Sequence, residues 1–201
     1  EYRHIAPKTH PGLSGIAIES VDGGIIEQVT FNNISMEGII TPIFICLNHR
    51  RMNQHSGQSG IIRNLLFSNI TAKAEGIIPT LIAGTPTGRI TDITLRDITV
   101  EHAGGEKAMT KSLPENLKGY PENRRYGKEN PAGGLYIRHA DNILIENFRI
   151  RQRNTDERPS IFLDDATDIH IEKLQSTGSI AKKMIEHSKC SNITIDGRVV
   201  K

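Results

Sequence analysis

The residues best suited to chemistry fall where short apolar runs give way to polar ones. Glu19 and Asp22 follow Gly15-Ile-Ala-Ile18, Asn48 with His49 and Arg50 follows Pro42-Ile-Phe-Ile-Cys-Leu47, and Arg138 with His139 follows Gly134-Leu-Tyr-Ile137. Asp164-Asp165 and Glu186-His187 close two further runs of the same kind. Glu19 and Asp22, three apart at a strand end, can share one rim and are the first candidates for acid–base catalysis, with Asp164 or Asp165 next. A role in the Asp22-Gly-Gly24 turn competes for Asp22. An arginine can clamp a carboxylate through two parallel bonds, so Arg138 with His139, and His49 with Arg50, are candidates for binding an acidic ligand. Turn stabilisation is an equal alternative for His139. Turns facing water are the favoured explanation for any one polar strand end, and explain the column as a whole less readily.

The elements that position this column are announced by a nine-residue block: acid or amide, apolar, any, apolar, any, acid or amide, apolar, any, apolar. Its clearest copies are Asn64–Ala72, Asp92–Val100 and Asn142–Ile150, and Gln28–Met36, Asp168–Ser176 and Asn192–Val200 follow it with exceptions. Equivalent positions Phe31, Phe67, Leu95, Ile145, Ile171 and Ile195 are separated by 36, 28, 50, 26 and 24 residues, the spacing of a solenoid whose longer turns carry insertions. Each block is two stretches of period-two alternation. The residue between them tolerates positive φ, so the chain can turn a corner there without leaving the sheet. Two ladders are expected, Asn33, Asn69, Asp97, Asn147, Lys173, Gly197 and Gln28, Asn64, Asp92, Asn142, Asp168, Asn192. With a lone strand before every block, this describes an all-β fold, a right-handed parallel β-helix of about six coils with three strands per coil. Residues 1–201 form a single domain, expected to be a fragment of a longer β-helix.

Two insertions border the lone strands, Asn48–Gly60 and Gly104–Gly133, and together they can wall a groove across the coils. Arg50, Arg51, Lys107, Lys111, Lys118, Arg124, Arg125 and Lys128 suit an acidic ligand there, diluted by Glu106, Glu115, Glu122 and Glu129. A net charge of +2 gives no support for nucleic-acid binding, and no run is apolar enough to span a membrane. Cys46 and Cys190, about five coils and hence roughly 24 Å apart, are too distant to bridge. The histidines show no metal-ligand spacing, so no metal or cofactor is expected. The glycosylation sequons at Asn33, Asn69 and Asn192 all sit inside the repeat, where ladder and turn roles explain them.

Ser14-Gly-Ile-Ala-Ile-Glu-Ser-Val-Asp-Gly-Gly24, Thr41-Pro-Ile-Phe-Ile-Cys-Leu47, Tyr120-Pro-Glu122, Gly134-Leu-Tyr-Ile-Arg-His139 and Asp156-Glu-Arg-Pro159 with Phe162-Leu-Asp-Asp165 resemble the second half of bacterial members of glycoside hydrolase family 28, the polygalacturonase family. The resemblance implies a parallel β-helix that hydrolyses pectic polysaccharides with inversion, using one carboxyl as acid and another as base. It implies a secreted or periplasmic location and a pectic polysaccharide or oligogalacturonide as partner. In that family the carboxylates come from Asn-Thr-Asp and Asp-Asp motifs followed by Gly-His-Gly, all ahead of an Arg-Ile-Lys strand. Ile16-Ala-Ile-Glu19 stands in that strand's place, with Ala17 for the Arg and Glu19 for the Lys, and the catalytic motifs are absent from this chain. Asp164-Asp165 lies at the wrong end of the order to replace them.

Three expectations follow. The chain is the C-terminal part of a pectin-directed hydrolase, contributing substrate-binding walls and inactive alone. Otherwise it is a divergent enzyme using Glu19 or Asp22, or a non-catalytic glycan-binding or structural β-helix of tailspike or adhesin type, self-associating through an open coil end.

Overall fold

The computed structural model of the protein describes residues 12–49, 60–109, 112–115, 122–126 and 129–200. Among these the strands are β1 (Gly12–Ser20), β2 (Ile25–Leu47), β3 (Ile61–Ala74), β4 (Thr80–Ala83), β5 (Ile90–Gly104), β6 (Leu135–Asp156), β7 (Ile161–Glu172), β8 (Gln175–Ser179), β9 (Ile185–Ser188), β10 (Ser191–Ile195) and β11 (Arg198–Val200). One 3-10 turn, Asn123–Tyr126, is the sole helical element of the described residues. All but one of the strand pairings are parallel.

The repeat dictates the register. Phe31 pairs with Phe67, Phe67 with Leu95, Leu95 with Ile145, Ile145 with Ile171 and Ile171 with Ile195, so equivalent block positions stack directly. Their apolar side chains point into one continuous core, in which Phe31 and Phe67 lie with ring centroids 5.0 Å apart. The corners sit where the ladders are. Every member of both expected ladders has positive φ, from Gln28 at 59° to Asn192 at 51°. Asn69 donates to Asn33, Asn147 to Asp97 at 2.6 Å, Asn142 to Asp92 at 2.6 Å and Asn192 to Asp168, so the side chains also bond from turn to turn. These roles occupy the sequon asparagines.

The structure adds one feature and changes one expectation. Lone strands and blocks are not everywhere separated by turns: β2 and β6, 23 and 22 residues long, run through several corners without losing pairing, because each bend consumes a single left-handed residue. The sixth block does not complete a parallel turn. Asp196 and Gly197, at φ 46° and 74°, fold Arg198–Val200 back antiparallel on Ile193–Ile195. An Asp-Gly pair with both φ positive is the preferred two-residue hairpin turn. Lys173 N consequently bonds the Asp196 carboxylate at 2.9 Å, and Gly197 leaves the ladder.

The lone strands, β1, the end of β2, β4, the start of β6, the start of β7 and β9, stack in register, with Ile18, Ile45, Ile82, Ile137 and Leu163 on their inner face and the exposed His187 at the end of that row. Their outer face is not open. Phe44, Cys46, Leu81, Ala83, Tyr136 and Phe162 form a second apolar cluster completed by Leu113, Tyr126 and Ala132 from the Gly104–Gly133 insertion. The described parts of that insertion, 105–109, 112–115, 122–126 and 129–133, lie across the stack as a strap. At one end Asn123 donates to Thr41 Oγ1 at 2.9 Å and to the Leu13 carbonyl, reaching back to the first turn. At its base Arg158 and Asp156 pair at 2.8 Å in full burial, and Arg158 also donates to the carbonyls of Ile77 and Asn130.

Candidate functional site

The lone strands end in a column. Glu19 pairs with Cys46, Cys46 with Ala83, Ala83 with Arg138, Arg138 with Asp164 and Asp164 with Ser188. Adjacent strands are about 4.8 Å apart, which sets Glu19 roughly 14 Å from Arg138. The column therefore holds two separate polar groups, with the apolar Cys46 and Ala83 between them. Burial pushes the Cys46 thiol up to about 12, and its sulfur meets Tyr126 Oη at 3.5 Å, so it is a packed group and no nucleophile.

The larger group centres on Arg138 and His139. Arg138 is buried; Nη2 meets Glu115, Nη1 the Pro114 carbonyl at 3.4 Å, and Nε lies 3.3 Å from Asp164 Oδ2. Tyr136 donates to the same Asp164 oxygen at 3.1 Å. His139, at φ 48°, forms a corner within β6, where Nδ1 lies 2.5 Å from Asp165 Oδ2 and Nε2 lies 2.9 Å from Glu115 Oε1. Arg89 closes the network from the other side, bonding Asp141 through Nε and Nη2 at 2.5 and 2.7 Å and Asp165 at 2.9 Å. Burial pulls the Asp165 carboxyl upward, but the bonds from His139 and Arg89 outweigh it and hold it below its ordinary value. The bond to Asp141, against the cost of burial, raises Arg89 above an already high value.

Backbone sterics bring the neighbouring loop this close. Gly84 N donates to the Arg138 carbonyl at 2.9 Å, and a Cβ on Gly84 would stand 2.2 Å from the His139 carbonyl oxygen. Only glycine fits there. The loop that follows carries Thr85 and Thr87, which meet His49 Nε2 at 2.7 and 3.2 Å. Arg138 borders a small polar cleft lined also by Asn48, Thr85 and Glu115, and His49 is tied to it only through Thr85.

Arg138 and His139 differ from the expected open clamp: both basic groups are turned to protein carboxylates beneath the strap. Glu19 is half-buried, and burial together with the negative Glu122 raises its carboxyl above the ordinary range. Asp22 lies in the exposed bend after β1, followed by Gly23 at φ 88°, as the turn reading has it. Glu19 and Asp22 are therefore in different surroundings, one on the strand column and one in the turn. Arg50 and Arg51 lie outside the described residues, as do Lys111, Lys118 and Lys128. Lys107 is taken up by Glu157 at 2.6 Å.

Sequence reasoning missed Glu115 and Arg89 as members of the site. Glu115 entered it only as a charge diluting a basic loop, and nothing in its local sequence ties it to residues 23 and 24 positions away. Arg89 sits one residue before β5, where the chain turns under the lone-strand ends. Glu115, His139 and Asp165 do not converge on one point, since the imidazole stands between the carboxylates, and among the described residues no group of three such side chains is placed to hold a metal ion.

No curated protein and no solved structure matches the chain significantly. Residues 11–120, more than half of the chain, match the family described as Glycosyl hydrolases family 28, and the chain belongs to that family.

Proposed function

We propose that the chain is the C-terminal part of a pectin-directed, inverting glycoside hydrolase of polygalacturonase or rhamnogalacturonan hydrolase type, supplying walls of the substrate site while the catalytic aspartates lie upstream. One observation carries this reading: Asp164 and Asp165, the adjacent acid pair on the lone strands, are consumed by Arg138, Tyr136, His139 and Arg89. Inverting hydrolysis needs one carboxyl free to give a proton and another free to take one from water. A pair held in ion pairs does neither.

The finer architecture belongs to the same reading: a right-handed parallel β-helix of about six coils, since crossovers between parallel strands are right-handed almost without exception. Among the described residues β1 pairs with β2 alone, which leaves an edge on which a further coil can stack. His49, Arg138 and His139, with Arg50, are the proposed wall residues. A polymeric substrate puts the activity outside the cell or in the periplasm.

The test is incubation of residues 1–201 with polygalacturonate and with rhamnogalacturonan fragments, followed by reducing-end assay. No turnover by this chain, and turnover by a chain extended upstream, is expected. Turnover by residues 1–201 alone overturns the division of labour, and the raised Glu19 carboxyl beside Glu122 then becomes the first candidate acid. In that event Glu19→Gln must abolish the rate. Glycan binding without hydrolysis by either chain, with a stable oligomer in sedimentation, would instead favour the structural β-helix.

A further inference from the structure

Arg138 is poorly served by its partners. A guanidinium offers five donors. Here Nη1 reaches the Pro114 carbonyl only at 3.4 Å, and Nε, 3.3 Å from Asp164, makes no aligned hydrogen bond. The residue is 7 % exposed, so the unfilled donor cannot turn to bulk water. Asn48 and Thr85 add neutral polar groups to the wall of the same cleft. One orphaned buried donor, Arg138 Nε, on a polar cleft calls for an acceptor that the protein's own groups do not supply.

Glu115 is the odd member of the cluster. It comes from the strap and not from the stacked strands, and its side chain is 39 % exposed against 9 % for Arg138 and 7 % for His139. A single oxygen, Oε1, meets both basic groups. A carboxylate entering from outside, lying at the mouth and bonded to an arginine and an imidazole, stands where the carboxylate of an acidic sugar would stand.

We propose that Arg138 and His139 form a binding site for a sugar carboxylate, and that Glu115 occupies it until a uronate displaces it. The ligand's identity rests on the pectin reading above. Charge requires exchange rather than addition. The cations Arg89 and Arg138 already face Asp141, Asp164, Asp165 and Glu115, and a further carboxylate beside Glu115 would set like charges together. Replacing Glu115 by a uronate leaves the balance unchanged. The exposed carboxylate of the strap thereby tunes how tightly the wall holds an acidic sugar.

The experiment is calorimetric titration of wild-type and E115Q protein with trigalacturonate and with a neutral galactose trisaccharide. A site occupied by its own carboxylate nine times in ten binds about tenfold more weakly than a vacant one, so E115Q should gain about tenfold for the acidic sugar and nothing for the neutral one. Binding by wild type with no gain in E115Q overturns the exchange and leaves the pectin reading in place. A second readout guards against misfolding: in nitrogen-15 NMR of the His139 ring, acetate as a bare carboxylate probe should shift the signals of folded E115Q more than those of wild type. An acetate response with no trigalacturonate binding supports the carboxylate site and overturns the pectin reading. Ring signals that ignore both probes in folded E115Q overturn the proposal.

Discussion

His139 Nδ1 lies 2.5 Å from Asp165 Oδ2, and the two residues occupy the same corner of adjacent strands, at φ 48° and 51°. The flanking pairs Arg138–Asp164 and Ala140–Ala166 are in register, so the strained corner is what turns one side chain onto the other. Order in the site is thus a product of the same left-handed residues that build the coil.

Asp165→Asn should loosen this corner. Asp165 accepts from both His139 and Arg89, and its carboxyl is held below its ordinary value despite burial. A depressed carboxyl contributes its full stability above its unfolded value, about 3.8, and loses that contribution progressively as pH falls below it through the folded value. Urea unfolding at pH 7 should show a loss of about 1–3 kcal/mol, with Arg89 still anchored by Asp141. Repeating the measurement near pH 3 should show a smaller difference; an equal one would count against the ion pairing.

His102 predicts a second pH dependence with its own window. It is fully buried, and neither ring nitrogen makes a well-aligned hydrogen bond among the described residues, the Gly134 backbone being its nearest polar support. Burial first, and then the positive Arg158 and Arg153 against the negative Asp156, lower it from 6.5 to about 3. Below pH 6.5 the unfolded chain takes up a proton that the folded chain refuses, so stability is lost as pH falls from about 6.5 towards 3. The slope approaches about 1.4 kcal/mol per pH unit. Comparing His102→Gln with wild type across that window isolates it, and parallel curves would show that the buried ring titrates normally.

The corner asparagines set a third expectation. Asn69 is at φ 52° and donates to Asn33 on the preceding turn. Asn69→Gly keeps the backbone and loses the ladder bond, whereas Asn69→Ala loses the bond and adds a left-handed penalty of about 1–2 kcal/mol. Thermal melts should rank wild type, Gly, Ala in falling order. If Ala equals Gly, the corner is not what the asparagine is for.

What was legible in the sequence is whatever repeats. The block gave the register, both ladders and the core column, because period-two alternation and a positive-φ residue are local properties. The strap was not legible as a cover, although a signal existed. Phe44, Leu81, Tyr136 and Phe162 are apolar on the face opposite Ile45, Ile82, Ile137 and Leu163, and a strand apolar on both faces must be covered on both. Reading only the polar strand ends made those positions the edge of an open groove. Glu115 could not have been found in this way, since its partners are joined to it by tertiary packing alone. The Asp196-Gly197 hairpin was readable, and fitting the sixth block to the repeat concealed it.

The strap's base offers the sharpest energetic test, because it is held by a buried charge pair. Arg158 and Asp156 are 1 % and 0 % exposed at their side chains, and Arg158 also ties Ile77 to Asn130 while Asp156 accepts from Glu106 N at 3.4 Å. Removing the cation alone strands a carboxylate in the interior. Arg158→Met should therefore cost about 3–5 kcal/mol in urea unfolding. Removing the charge from both sides relieves the stranded ion, so Arg158→Met with Asp156→Asn should recover part of that loss even though it deletes a second native group. Were the strap merely resting on the coil, the single variant would lose little and the double variant would add to it. A coupling of the opposite sign between the two substitutions identifies the pair as the clamp that holds the strap, and with it Glu115, over the ends of the lone strands.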